Sequence, residues 1–236
     1  MPAWGPLKIR VLVGLLFLPY TGMVLAYTII GSMLADHIYW DRVGGIVVVY
    51  FLALGIGAHA LDAVGSRGVK PWGLVFSGRS LWLLALSSVA LAYAILIYYM
   101  LQSTPLLSLL AITEGFFLFA YNLEWFHSRF HTDGWFAVSW GSLPVLVGYM
   151  LQTNRISLAA LVVALSMGFL SLVEIKASRP YKALKRSVVA MEIKSKQKQM
   201  EHLESFELIL KSISFGVILL GIGLLAWRIS SPTFSP

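Results

Sequence analysis

The chain contains no cysteine among its 236 residues. A disulfide framework, a thiolate metal site and a cysteine nucleophile are therefore all excluded. Charge is scarce too. Asp, Glu, Lys and Arg make up 12% of the residues, against about 25% in an ordinary soluble domain. That shortage excludes a soluble globular enzyme, a disordered chain and a nucleic-acid-binding domain. Acid is scarcer than base, 11 residues against 18, which leaves a net charge of +7. The chain is also 58% hydrophobic, with mean hydropathy +0.78. In such a chain a basic excess reads as loop charge on one side of a membrane. Five histidines are too few for a histidine-rich membrane di-iron centre.

What is present is long apolar sequence. A membrane-crossing helix takes roughly 20 apolar residues, and seven stretches qualify: 11–34, 44–65, 80–100, 105–124, 135–151, 157–175 and 206–229. The expected architecture is an all-α polytopic transmembrane bundle of about seven spans, one domain over residues 1–236. The first stretch lacks a small-residue cleavage site and reads as a retained span. Seven spans place fourteen of the 18 basic residues at one set of span ends and three at the other. The rich set comprises the N-terminus, the second loop (Arg67, Lys70, Arg79), Arg129 and the sixth loop. By the positive-inside rule that side is cytoplasmic, with the N-terminus inside and the C-terminus outside a prokaryotic cell membrane. Residues 176–205 mix lysine with glutamate and lack glycine, a pattern for an amphipathic cytoplasmic helix. Lys182, Lys185 and Arg186 there are suited to anionic headgroups.

Ionisable side chains inside spans are costly and tend to face a bundle interior. Asp62, Glu124 and Glu174 each end an even-numbered span, so span parity brings three carboxylates to the same side and depth. His59 and Asp62 are i,i+3 on one helix face, as are Glu124 and His127 if the helix continues. Carboxylate and imidazole at such spacing suit a divalent metal. The plainer reading pairs Asp62, Glu124 and Glu174 with Arg67, Arg129 and Arg179 at the interface. Glu114 sits near the middle of the fourth span, where a hydrogen bond to a facing helix or a proton relay accounts for it. The aromatic run Phe116 to Phe130 packs a core or lines a channel for a long apolar substrate.

Tyr121-Asn122-Leu123-Glu124, the stretch to Phe130, Trp135 to Gly141 and Pro144 to Tyr149 together resemble the UbiA superfamily of intramembrane prenyltransferases. Gly57 to Asp62, with Arg67 and Pro71 behind it, resembles that family's first aspartate-rich motif. Leu172 to Pro180 takes the place of the second. The resemblance spans about residues 10–190. His59-Ala60-Leu61-Asp62 and Phe130-His131-Thr132-Asp133 are similar to strings in a divergent prokaryotic branch. The chain departs from the main pattern where aspartates are expected: Ala58, His59, Asp62 and Ser66 stand in the first motif, and Glu174 in the second. It also has room for seven spans where the family has nine.

The resemblance implies an isoprenoid or other lipid substrate in a cytoplasm-facing cavity, or a scaffold that keeps the fold without the metal centre. It implies one divalent metal, Mg²⁺ or another, on His59, Asp62 and Glu124 or Glu174. Arg67, Lys70, Tyr121, Arg129, Arg179 and Lys182 are the expected substrate-binding residues, the cations neutralising a diphosphate. His131, Asp133 and Glu124 are the expected catalytic residues, with Asp133 orienting His131 as an acid/base pair.

Overall fold

The computed structural model describes residues 5–16, 18–66, 75–187 and 193–231, and among them every regular element is helical. Eight helices follow in order. They are α1 (Leu7–Leu16), α2 (Leu18–Met33), α3 (Trp40–Gly65), α4 (Gly78–Gln102), α5 (Leu107–Asn122), α6 (Asp133–Thr153), α7 (Leu158–Ser187) and α8 (Ile193–Ser230). Two of them carry wide π turns, α3 over Phe51–Ala58 and α6 over Val138–Ser142.

Among the described residues five helices are long and apolar enough to cross a membrane: α3, α4, α6, α7 and the Gln199–Ser230 part of α8. The consecutive α1 and α2 make a sixth when taken as one broken span. The chain is an integral membrane protein of helical type. The stretch expected at 105–124 is a helix of 16 residues, α5. At 1.5 Å per residue it is about 24 Å long, short of the roughly 30 Å hydrocarbon core. Pro105 precedes it, and left-handed backbone follows at Glu124, Phe126, His127 and Ser128. The expected amphipathic helix at 176–205 is not a separate element. α7 runs through Pro180 to Ser187, and α8 starts at Ile193.

Hydrogen bonds tie the connections into two opposite ends. At one end Arg42 donates to the Leu151 carbonyl at 2.9 Å and to Ser103 Oγ at 2.7 Å. The Tyr39 N–H donates to Gln152 Oε1 at 2.8 Å, and Arg228 Nε donates to the Met33 carbonyl at 3.0 Å. At the other end α3, α5, α6 and α7 meet. A Cβ on Gly65 would lie 2.3 Å from the Asn122 carbonyl, so α3 and α5 finish against each other.

Close backbone approach builds the centre. A Cβ on Gly31 would lie 2.0 Å from the Val145 carbonyl, and one on Gly148 would lie 2.2 Å from the Thr28 carbonyl. Lipid tails are as apolar as leucine, so helices in a bilayer associate by packing rather than hydrophobic exclusion, and small residues allow the closest fit. Ser32 Oγ adds a hydrogen bond to the Gly148 carbonyl at 3.3 Å. α2 is thus clasped by α6, and α8 covers its other side, with Gly221 over Ala26.

Candidate functional site

The end where α3, α5, α6 and α7 meet holds a cluster of polar side chains. Asp133 opens α6, where Thr132 caps the helix by accepting from the Trp135 N–H at 3.3 Å. Its carboxylate pairs with Lys176 Nζ and Arg179 Nε, each at 2.8 Å. Lys176 and Arg179 are about a turn apart on α7, so one carboxylate reaches both. Arg179 also lies within electrostatic reach of the Tyr121 hydroxyl at the end of α5. Asp62 from α3 lies within electrostatic reach of the same hydroxyl. Four helices therefore contribute to one network: Asp62, Tyr121, Asp133, and Lys176 with Arg179.

His131 closes over this network. Its ring stacks on Tyr121 with centroids 4.4 Å apart, and its Nδ1 lies 2.9 Å from the Tyr121 carbonyl. A carbonyl only accepts, so Nδ1 carries the proton and Nε2 is the position open to accept. The group that orients His131 is thus the Tyr121 carbonyl. Asp133, expected in that role, is held by the two α7 cations instead.

Behind the network lies an aromatic wall. Tyr121 packs against Phe136 and Trp140 at 5.8 and 6.1 Å, and Tyr20 of α2 packs against the same two rings at 5.3 and 6.4 Å. Glu174 is buried behind it, at 4% exposure. Its Oε2 has no hydrogen-bond partner among the described residues. Tyr20, Tyr27 and Lys182 are within its electrostatic reach.

Other expected residues fall elsewhere. Glu124 is exposed and accepts from Ser128 Oγ at 3.2 Å, not from Arg129. The helix stops at Asn122, and Glu124 and His127 both have left-handed backbone, so they do not share a helix face. Arg179 pairs with Asp133 rather than with Glu174. Arg129 and Lys182 are exposed at this end. Arg67 and Lys70 lie outside the described residues. His59 is partly buried one turn before Asp62. Among the described residues no three His, Asp or Glu side chains come together as a metal ion would require. The set His59, Asp62, Glu124 and Glu174 is not gathered into one centre.

Lys176 is the member of the network that the sequence reading leaves out of the site. Its signal is Asp133 at the start of one helix facing a lysine-and-arginine helix end. Tyr50 is a second omission. Its hydroxyl donates to Glu114 Oε1 at 2.8 Å. Both residues sit at similar depth on helices that start from the same end of the bundle, which span parity alone makes readable.

No family model matches the chain, and neither does any curated protein or solved structure.

Proposed function

We propose that this chain is a divergent UbiA-like membrane protein of seven spans that binds an isoprenoid or other lipid by its anionic end. The binding site is the network of Tyr121, His131, Asp133, Lys176 and Arg179, and it faces the cytoplasm. The observation that carries the reading is the pairing of the Asp133 carboxylate with both Lys176 and Arg179, which holds two cations side by side. An arginine held at one edge by a carboxylate keeps further N–H donors for a phosphate, with the fork geometry that suits it. Lys176 and Arg179 remain 67% and 50% exposed, so an anion can reach both. Lys182 and Arg129 at the same end add charge.

Group transfer by this site rests on His131, whose open Nε2 takes a proton from the group that attacks. The metal expected from the family resemblance does not fit the described residues. That misfit favours a second reading, a scaffold that binds the lipid without transforming it. One experiment separates the two. The protein is purified in mild detergent, its co-purified lipids are identified by mass spectrometry, and a labelled isoprenyl diphosphate is followed for release of diphosphate. Anionic lipid with diphosphate release supports transfer, and anionic lipid alone supports the scaffold. Absence of any anionic lipid, with no binding of the added diphosphate, refutes both.

A further inference from the structure

A second feature lies within the membrane, about 10 Å along α5 from Tyr121. There α3, α4, α5 and α6 enclose a pocket of about 40 Å³, whose lining includes Val49, Tyr50, Tyr93, Ala111, Glu114 and Gly115. The lining is apolar almost throughout. The two tyrosine hydroxyls are already committed. That of Tyr50 donates to Glu114 Oε1 at 2.8 Å, and that of Tyr93 donates to the Ala111 carbonyl at 2.6 Å. Tyr50 occupies one oxygen of the Glu114 carboxyl group, and the other leaves Glu114 as the polar group the pocket offers. Glu114, Gly115 and Tyr93 keep partial exposure, so the pocket reaches the bundle surface between α4 and α5.

We infer that this pocket is a binding site for a membrane-dissolved alcohol, an apolar body carrying a single hydroxyl that pairs with Glu114. A hydroxyl both donates and accepts, so it satisfies the carboxyl group whether or not that group is ionised. A ketone or quinone carbonyl only accepts and pairs only with the protonated acid. An ammonium requires the ionised acid and brings a second charge into the bilayer, which is costly. A pocket this small takes the hydroxyl end and its first few carbons, while the rest of the molecule lies between α4 and α5 in the lipid. Gly115 keeps the way open. A Cβ there would stand 2.1 Å from the Tyr93 hydroxyl, so any larger residue displaces Tyr93 across the mouth. The inference does not rest on the anionic site.

The test uses the full chain in nanodiscs and photolabelling. The probes are a long-chain alcohol carrying a diazirine beside the hydroxyl, its methyl ether and its primary amine. The expected result is labelling of peptides covering 49–54, 92–96 and 107–118, with the alcohol favoured about tenfold over the ether, the worth of one buried hydrogen bond. Glu114→Leu removes that preference, and Gly115→Val lowers alcohol labelling while leaving Glu114 in place. Equal labelling by alcohol and ether, stronger labelling by the amine, or labelling spread over the lipid-facing surface each overturns the inference. If Glu114→Leu does not fold, the alcohol-to-ether ratio in the unaltered protein and the Gly115→Val result decide it.

Discussion

Asp133 holds two cations at once, and this decides what the polar cluster offers. Lys176 and Arg179 would repel each other across one helical turn without it. Its own side chain is 15% exposed while its partners are 67% and 50% exposed. Ion pairs so open to solvent contribute only about 0–1 kcal/mol to stability. Asp133→Asn is therefore expected to change thermal unfolding in detergent little. It removes a negative charge beside both cations, so binding of an anionic lipid should tighten. A clear weakening would show that the carboxylate itself serves the ligand or fixes Arg179 in its binding position. At this scale the sequence was only partly readable. Tyr121, His131, Asp133 and Arg179 stand out as polar or ionisable groups at span ends, and they do meet. The pairing among them was not readable, because Glu174 is the acid close to Arg179 along the chain and only the fold brings Asp133 to it.

The helices themselves follow from plain physics. Apolar runs long enough to cross a bilayer have no water to satisfy their backbone groups and so form helices. That made α3, α4, α6 and the start of α7 legible within a few residues, while α7 runs on past the expected end at 175 to Ser187. The end of α5 was not legible. Glu124, Phe126, His127 and Ser128 take positive φ without a single glycine, and of the four only His127 is of a type enriched there. The i,i+3 argument for Glu124 and His127 fails for that reason alone. The glycines are more informative at contacts. Gly148 on α6 faces the Thr28 carbonyl of α2, a backbone atom that cannot step aside. Gly148→Val is expected to destabilise the fold by about 1–3 kcal/mol, the usual cost of overpacking. Gly216→Val on α8 serves as the control, since a Cβ there meets nothing within 4 Å. Thermal unfolding of the two variants in the same detergent should separate them, and equal stability would remove the close α2–α6 contact from the account.

For the whole molecule, the described helices from α2 onward alternate in direction, so the polar cluster and the Arg42–Arg228 end lie on opposite faces. The described basic residues Arg129, Lys176, Arg179 and Lys182 all lie at the cluster end. The absence of cysteine makes orientation directly measurable. Single cysteines at Ser187 and Ser231 should differ towards a membrane-impermeant thiol reagent, Ser231→Cys reacting in intact cells and Ser187→Cys only after lysis. The reverse pattern would turn the cluster outward. The most direct test of the central claim is a titration of an isoprenyl diphosphate into the protein in nanodiscs, beside Arg179→Ala. A charge-assisted hydrogen bond is worth about 1.5–3 kcal/mol, so the variant should bind at least about tenfold more weakly, with the matching isoprenoid alcohol unaffected by the substitution. Equal diphosphate affinity in the two proteins would contradict the account.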